Sequence, residues 1–284
     1  MPDALKSGPE SGAENPVFLE GPSFDRQGNL YCVDIYNSRI LRITPDRQWS
    51  IAARYDGHPN GLKIRRDGQI FITDRRLGVM HLDPLSGEIR PHCIGYGFET
   101  SFKGVNDLIF ASNGDMYFTD QGDTGLHDPT GRVFRLRTDG RLDLVLGNVP
   151  SPNGIVLTLD ETTLLVAATR ANAVWRVPML ADTGAPYRVG VFLHLSGSDR
   201  VGPDGLALDA DGSLAVAMPG LGSVWLFSSV GEPLFRIRSP VGKKTTNLAY
   251  GGIDNKSLFI TEADSASILK IDLPVAGRPM YSHQ

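Results

Sequence analysis

One pattern recurs six times along the chain, and it constrains the fold more than any other feature of the sequence. The copies occupy residues 20–34, 60–74, 106–120, 153–168, 204–218 and 247–262. Each begins with an acidic residue or an asparagine, and two short apolar runs follow, separated by a turn that is often Asp-Gly or Asn-Gly. Self-similarity at this spacing is typical of repeat architectures such as propellers.

The turn chemistry indicates that each copy is a β-hairpin, because Asp-Gly and Asn-Gly accept the positive φ angles of tight hairpin turns. A third apolar run follows each hairpin, as in "GRVFRLR" (131–137) and "SVWLFS" (223–228), and a weaker fourth run usually comes next. Four strands per repeat of about 40–50 residues is the propeller pattern. The sequence therefore predicts an all-β, six-bladed β-propeller with four-stranded antiparallel blades around a central channel.

The repeats also suggest where the domain begins. We expect residues 15–284 to form a single propeller and residues 1–14 to be a flexible N-terminal tail. The stretch "NPVFL" (15–19) precedes the first repeat and has no hairpin of its own. Its expected role is the outer strand of blade 6, which would close the ring and remove free sheet edges.

Composition excludes several classes of protein. With a net charge of −4 the chain offers no strong basic surface for nucleic acid or an anionic membrane. No run approaches the roughly 18 apolar residues of a spanning helix, and the polar first residues lack a secretory apolar segment. Cys32 and Cys93 read as buried thiols, although a disulfide stays open. We expect a cytoplasmic protein without nucleic-acid or membrane partners, as a monomer or small homo-oligomer.

Hairpin geometry gathers the polar residues that open the repeats. The start of the first strand and the end of the second lie at the same end of a hairpin, and the first strands of a propeller line its channel. One mouth of the channel should therefore be ringed by six side chains: Glu20, Asn60, Asn106, Asn153, Asp204 and Asn247. The ends of the second strands, Asp34, Asp74, Asp120 and Glu262, should lie one step outward.

An oxygen-only cluster suits a hard cation such as Ca²⁺ better than zinc. Two carboxylates, Glu20 and Asp204, would offset a divalent charge, and coordination positions would stay open for water or substrate. A purely structural interpretation stays open beside this one, because Asp and Asn before Gly often cap turns without any metal. The acids at the far ends of the hairpins, Asp67, Asp139, Asp209 and Asp211, are interpreted as turn residues.

An ordered set of motifs resembles the regucalcin/gluconolactonase family. The motifs are "LEGP" (19–22), "VNDLIFASNGDMYFTD" (105–120), "PNGI" (152–155) and "GPDGLALDADGSLAVA" (202–217), and the C-terminal "PMYSHQ" is similar to that family's ending. Blades 3 to 5 look closest to the drug-responsive lactonase branch. The resemblance implies a six-bladed propeller with one divalent ion, most often Ca²⁺, at the channel mouth, with Zn²⁺, Mn²⁺ or Mg²⁺ as alternatives.

What the resemblance implies for individual residues is a metal centre with lactonase chemistry. Glu20, Asn153 and Asp204 match the family's metal ligands, Asn106 matches a further ligand or substrate contact, and Asp204 matches an acid/base residue. The implied reaction is hydrolysis of a small lactone, with the metal as Lewis acid. A second, structural Ca²⁺ is expected near Asp107 and the loop "DQGDTGLHD" (120–128).

One departure from the family concerns the substrate. Sugar-lactone members often carry an arginine two residues before the Asn-Asp of blade 3, where this chain has Gly104 beside Lys103. A more apolar lactone is therefore favoured over a polyhydroxylated one. Candidate substrate contacts are Lys103, Asn106, Asp120 and His127.

Other classes remain as alternatives. A non-catalytic, NHL-like propeller that binds a protein partner would need no metal, and a strictosidine-synthase-like enzyme would not need the four-residue ligand set. Phosphotriester hydrolysis is a further activity that the same metal site would support. The chain has no G-x-S-x-G, P-loop, G-x-G-x-x-G or H-E-x-x-H motif.

Overall fold

The computed structural model describes residues 1–6, 17–96, 100–197 and 201–284. The described residues form six antiparallel sheets arranged as the blades of a propeller, which confirms the predicted fold class. In every blade the strand order is the order of the sequence, so each strand pairs with the next one along the chain. The innermost strands contact one another in sequence, and the last contacts the first, so the ring is closed.

The first three blades carry four strands each. Blade 1 contains β1 (Leu19–Phe24), β2 (Leu30–Asp34), β3 (Arg39–Ile43) and β4 (Trp49–Arg54). Blade 2 contains β5 (Pro59–Ile64), β6 (Ile70–Asp74), β7 (Gly78–Leu82) and β8 (Ile89–Cys93), and a small hairpin of β9 (Gly95–Tyr96) and β10 (Thr100–Ser101) follows. Blade 3 contains β11 (Val105–Phe110), β12 (Met116–Asp120), β13 (Gly131–Leu136) and β14 (Leu142–Val149).

The last three blades differ in size. Blade 4 contains β15 (Pro152–Leu157), β16 (Thr163–Ala168), β17 (Ala173–Pro178) and β18 (Gly190–His194). Blade 5 contains β19 (Leu206–Leu208), β20 (Leu214–Met218), β21 (Ser223–Phe227) and β22 (Pro233–Arg238). Blade 6 has three strands within the described ranges, β23 (Thr245–Gly251), β24 (Ser257–Glu262) and β25 (Ser267–Asp272). The remaining elements are a helical turn, α1 (Asp3–Lys6), and 3-10 turns at Thr169–Ala171 and Tyr281–His283.

The expected strand exchange between the N-terminal stretch and blade 6 is wrong for residues 17–19. Leu19 belongs to β1, and the backbone of Phe18 extends the pairing of β1 with β2 within blade 1. Residues 15 and 16 lie outside the described residues, as do residues 7–14 of the predicted tail. At the start of the chain, the Met1 ammonium donates to the carbonyl oxygen of Ala266 at 3.1 Å.

The hydrophobic core is divided into six clusters, one between each pair of neighbouring blades. The middle strands are buried on both faces, which explains why they are continuous apolar runs rather than alternating ones. Threonines add polar links between blades, since the hydroxyls of Thr73 and Thr119 donate to the carbonyl oxygens of Asn106 and Asn153 in the following blade. The threonines that precede the last residues of β6 and β12 therefore bind backbone of the neighbouring blade.

The hairpin turns lie at the end of the blades away from the predicted site. In blade 5 the Asp209 carboxylate accepts hydrogen bonds from the backbone of Asp211 and Ser213, and Gly212 adopts a φ of 80°. The corresponding turn bonds of Asp67 and Asp139 confirm the turn interpretation there as well. Asp209 and Asp211 therefore belong to a turn and not to the channel mouth.

The C-terminal segment covers the channel at the hairpin end. Arg278 donates to the carbonyl oxygens of Leu157 and Thr158 at 2.7 and 3.0 Å. Tyr281 stacks on Phe110, with 5.0 Å between ring centroids. Above this segment lies a mostly apolar cavity of about 80 Å³ lined by the innermost strands. The segment thus closes one end of the channel.

Candidate functional site

The four predicted ligands lie at the starts of the innermost strands, opposite the C-terminal segment. Glu20, Asn106 and Asn153 are the second residues of β1, β11 and β15, and Asp204 lies two residues before β19. All four are at least nine-tenths buried. The side chains of Asn153 and Glu20 lie close enough to Asp204 to shift the pKa of its carboxyl, Asn153 downward and Glu20 upward. Glu20, Asn153 and Asp204 thus meet at one mouth of the channel.

Asn106 connects this mouth to the rim. Its Nδ2 donates to Gln121 Oε1 at 2.9 Å, and Gln121 Nε2 in turn donates to Ser151 Oγ at 2.9 Å. Because the amide nitrogen is used in this chain of hydrogen bonds, the carbonyl oxygen is the atom that Asn106 can offer to a cation or a substrate.

Three further polar residues share the mouth, and none was a predicted ligand of this centre. Asn247 Nδ2 donates to Glu20 Oε2 at 2.9 Å and to Asp107 Oδ2 at 3.3 Å. The Lys63 ammonium lies 3.8 Å from Asp107 Oδ1. Lys63 interrupts the apolar run of a buried innermost strand, "GLKI", and that anomaly is the sequence signal by which it could have been found.

The buried carboxylates hold their protons more tightly than exposed ones. Burial raises the pKa of Glu20 to about 7; the hydrogen bonds from Asn247 and the Gly21 backbone oppose this rise, and the Asp107 charge adds to it. Burial also raises the pKa of Asp204 well above its usual value, and the charges of Glu20 and Asp107 raise it further. Both shifts have the same origin, because like charges in a poorly solvated site disfavour ionisation.

This charge imbalance is the structural feature that fits a divalent cation. With Glu20, Asp107 and Asp204 ionised and Lys63 protonated, the cluster carries a formal charge of −2. Across the described ranges, no three His, Cys, Asp or Glu side chains converge on a common metal position. A cation here would therefore need amide oxygens from Asn106 and Asn153 as well as carboxylates, and such a mixed oxygen set suits Ca²⁺. The donor set fits the ion that the family resemblance implies.

Glycines after the ring residues allow the innermost strands to approach one another. A Cβ at Gly61 would lie 2.6 Å from the carbonyl oxygen of Asn106 in the next blade. A Cβ at Gly154 would overlap the backbone of Asp204, and one at Gly205 would overlap the Asn247 side chain. The Asn-Gly and Asp-Gly pairs that open the repeats thus have a packing cause, since each glycine leaves room for the following blade's ring residue.

The acids that end the second strands are anchors and not ligands. Each is fully buried and accepts hydrogen bonds from its own blade; they are Asp34, Asp74, Asp120 and Glu262. Asp120 accepts from the backbone of Gly104 at 2.8 Å and from Arg132 Nε at 2.6 Å. Because both of its oxygens are occupied and shielded from solvent, the geometry assigns Asp120 a structural role instead of the predicted substrate contact.

A rim cavity adjoins the mouth through Gln121 and Ser151. Its volume is about 660 Å³, within the range of small-molecule sites, and the loop after β12 forms much of its wall. His127 of this loop is exposed and lines the cavity, and its contact with a substrate stays a prediction. Lys103 is exposed beside the loop, where its side chain covers Gly122 and its ammonium donates to the Thr130 hydroxyl.

Two arginines of the rim were not predicted. Arg75 follows β6 and Arg170 lies in the 3-10 turn after β16, and both line the rim cavity. In the sequence, the arginine of sugar-lactone members can be sought only at the position of Gly104. An arginine elsewhere in the chain gives no local sign that it reaches the same rim. Gly104 and Arg75 are in fact neighbours, since a Cβ at Gly104 would lie 3.1 Å from Arg75 Cγ.

The expected second Ca²⁺ near Asp107 gains no support from these positions. Asp107 is 2% exposed, and its carboxylate contacts Asn247, Lys63 and the Leu108 backbone. None of these groups belongs to the loop of residues 120–128.

Cys32 is buried, Cys93 is half-buried, and neither is in a disulfide. Within the described residues, no helix is both long and apolar enough to span a bilayer.

The fold and the mouth together define a six-bladed propeller with a buried centre of carboxylate and amide groups at one end of its channel. The chain belongs to the SMP-30/gluconolactonase/LRE-like family, whose model matches residues 18–264. It is 32% identical over 272 residues to lactonase drp35 from Staphylococcus aureus (strain MW2), covering 92% of this chain and 81% of that one.

Solved structures support the fold at lower sequence identity. The calcium-binding protein regucalcin from Agrobacterium tumefaciens superposes with a TM-score of 0.80 at 22% identity, covering 95% of both chains. A gluconolactonase from Xanthomonas campestris gives a TM-score of 0.80 at 22% identity, covering 96% of this chain and 94% of that one. At these identities the likeness concerns the fold alone.

Proposed function

We propose that the protein is a divalent-cation-dependent lactonase that opens the ring of a small lactone by hydrolysis. The observation that carries this proposal is the buried cluster of three carboxyl groups and one lysine at the channel mouth, beside a cavity large enough for a small molecule. A relative that is 32% identical over 92% of this chain is a lactonase, which favours this chemistry over a scaffold function.

Glu20 and Asp204 are proposed to supply the charge that holds the cation, and Asn106 and Asn153 to supply neutral oxygens. When bound, the cation would act as a Lewis acid on the lactone carbonyl. Ca²⁺ is the proposed ion because the donor set contains oxygen only, and because it tolerates an irregular mixture of carboxylates and amides.

Asp204 is the proposed acid/base residue. It would take a proton from the attacking water as the new bond to the carbonyl carbon forms. It would then give that proton to the ring oxygen as the ring bond breaks, so lactone and water become one hydroxy acid. In the cation-free protein, burial keeps the Asp204 carboxylate more basic than the carboxylate of an exposed aspartate.

The direct test uses protein stripped of metal by chelation and assayed by proton release against a panel of lactones of different ring size. We expect no hydrolysis above the uncatalysed rate until a divalent ion is added, and full recovery with Ca²⁺ or with one of Mg²⁺, Mn²⁺ and Zn²⁺. Absence of hydrolysis for every lactone with every ion would contradict the proposal and favour a scaffold.

The role of Asp204 is tested separately by Asp204→Asn, with Asp211→Asn in the turn of the same blade as the matched control. Loss of a general base costs about 10²–10⁴ in rate. We expect a kcat decrease in that range for Asp204→Asn and wild-type kinetics for Asp211→Asn. Near-normal kcat at saturating cation in Asp204→Asn would show that the aspartate serves as a ligand only.

A further inference from the structure

The rim cavity has a charge opposite to that of the mouth beneath it. Arg75 lines one part of the wall, and Arg170 lines another together with the imidazole of His127. Asp123 is the acidic residue of the lining, and it pairs with Arg75 at 2.6 Å. Among the described residues of the lining, the two arginines carry permanent positive charges and Asp123 carries a negative one, and Lys103 lies beside the same loop.

The pair between Arg75 and Asp123 is one that a ligand can replace. The Asp123 side chain is 96% exposed and that of Arg75 is 37% exposed. Ion pairs between such exposed groups contribute little free energy. An anionic ligand held inside the cavity could therefore take the place of Asp123 at small cost, and the guanidinium presents paired N–H donors that match a carboxylate or a phosphate.

The stem of the exposed Arg170 lies beside the loop at Gly125. A Cβ at Gly125 would lie 3.2 Å from His127 Nδ1 and 3.6 Å from Arg170 Cγ. The absence of a side chain at position 125 thus lets the imidazole and the arginine stem lie against the same stretch of backbone. Both groups are thereby placed over a cavity whose lining includes Gln121, which binds Asn106 of the mouth.

We propose that the substrate is an anionic lactone, one that carries a carboxylate or a phosphate group outside the ring. The ring carbonyl would lie at the mouth beside Asp204, and the anionic group would lie in the rim cavity between Arg75 and Arg170. This inference rests on the proposed lactonase function, and it replaces the apolar lactone that the absence of an arginine at position 104 suggested.

The test compares matched substrates that differ by one anionic group. The first pair is γ-butyrolactone and the same lactone with a carboxylate group attached to its ring. The second pair is a neutral sugar δ-lactone and the same lactone phosphorylated on its exocyclic hydroxyl. For the wild-type protein, kcat/KM is expected to be at least about tenfold higher for one anionic member than for its neutral partner. The pair with the larger ratio distinguishes carboxylate from phosphate.

Charge-removing variants connect this preference to the rim. In Arg75→Gln and in Arg170→Gln, the anionic-to-neutral ratio of kcat/KM is expected to fall by about 10- to 100-fold, the effect of losing one charge-assisted hydrogen bond. The matched control is Arg76→Gln, because Arg76 is the next residue along the chain, is exposed, and pairs with Asp56 instead of lining the cavity. Its ratio is expected to equal that of the wild type.

A binding experiment separates failure of this inference from failure of the proposed function. Sulfate titrated into the calcium-loaded protein in a calorimeter is expected to bind to the wild type and to Arg76→Gln, and to bind at least about tenfold more weakly to Arg75→Gln and Arg170→Gln. One outcome contradicts the anionic substrate alone: neutral lactones are hydrolysed, the anionic members show no advantage, and sulfate does not bind. The proposed lactonase function would then still hold. If sulfate binds through the arginines and no lactone is hydrolysed, the reaction is wrong and the anion site stands.

Discussion

Asn247 Nδ2 donates a hydrogen bond to Glu20 Oε2 at 2.9 Å across the junction where blade 6 meets blade 1. The same amide reaches Asp107 of blade 3 at 3.3 Å, so one side chain of blade 6 connects carboxylates of blades 1 and 3. The closure of the ring and the assembly of the candidate metal centre therefore depend on the same residue.

Asn247→Ala is expected to weaken both the fold and cation binding. Removing a donor to a buried carboxylate costs about 1–3 kcal/mol, because the acceptor loses its partner without regaining water. Denaturant unfolding of the chelated protein measures the first effect, and calorimetric titration with Ca²⁺ measures the second. Asn255→Ala serves as a control for the loss of an amide in the same blade, since Asn255 binds the Gly277 backbone far from the mouth. Unchanged Ca²⁺ affinity in Asn247→Ala would contradict its role at the centre.

Stability of the cation-free protein should depend on pH through Glu20. The pKa of Glu20 is raised from 4.5 in the unfolded chain to about 7 in the folded protein, chiefly by burial. The folded state thus binds more protons between these values, so the free energy of unfolding is largest below about pH 4.5 for this group and falls as pH rises towards 7. The measurement is urea unfolding of chelated protein across that window.

Two comparisons check that this dependence comes from the cluster. Glu20→Gln removes the titrating group and is expected to flatten the pH dependence between pH 4.5 and 7. Saturating Ca²⁺ is expected to restore stability at pH 7, because a ligand that binds only the folded state stabilises it. A stability that rises between these pH values in the chelated wild type would show that other groups dominate.

Because the innermost strands are closely packed, we expect a methyl group at position 205 to destabilise the fold. A Cβ there would overlap Asn247 Oδ1 and the Asn247 backbone, and the backbone cannot move without opening the ring. Gly205→Ala is expected to cost about 1–3 kcal/mol, the usual cost of overpacking, and to weaken Ca²⁺ binding. Gly190→Ala is the control, since nothing lies within 4 Å of a Cβ at that position. Equal melting temperatures for the two variants would contradict the packing argument.

The sequence could predict the fold because each repeat carries its own local signals. Local sequence alone is enough to recognise the Asp-Gly turn of blade 5 and the continuous apolar runs of β6 and β20. The position of Glu20, Asn153 and Asp204 at one mouth could be predicted because the same hairpin geometry recurs in every blade, and their role as ligands stays a prediction. The assignment of residues 17–19 to the outer strand of blade 6 was wrong because their pairing depends on which sheet edge they meet, and that choice is not local.

The remaining site residues could not be found in this way. Arg75 and Arg170 lie 95 positions apart in the numbering and become neighbours of one cavity only when blades 2 and 4 flank blade 3. Asp120 was predicted to contact substrate because its position in the repeat resembles that of a ring residue. In the structure its carboxylate is instead bound by a buried arginine, Arg132. The position of a residue in the repeat determines where its backbone lies in the blade, but not which partner its side chain contacts.

Lys63 is expected to limit how tightly the mouth holds a cation. Its ammonium lies 3.8 Å from Asp107 and repels a divalent ion bound at the same cluster. Lys63→Met keeps the length of the side chain and removes the charge, so Ca²⁺ affinity should rise by about tenfold, the equivalent of 1.4 kcal/mol. The chelated protein should at the same time become less stable by about 1–3 kcal/mol, because Asp107 loses a favourable neighbour in a buried site.

The two effects have opposite signs, and this distinguishes an electrostatic role for Lys63 from a packing role. A residue needed only for packing would weaken both the chelated fold and Ca²⁺ binding when replaced. Lys270→Met is the matched control, because Lys270 also lies in a strand but is half-exposed and pairs with Asp272 at the outer edge of blade 6. Tighter Ca²⁺ binding in Lys63→Met alone would establish that the net charge of −2 at the mouth is set by this lysine, whereas weaker binding would contradict it.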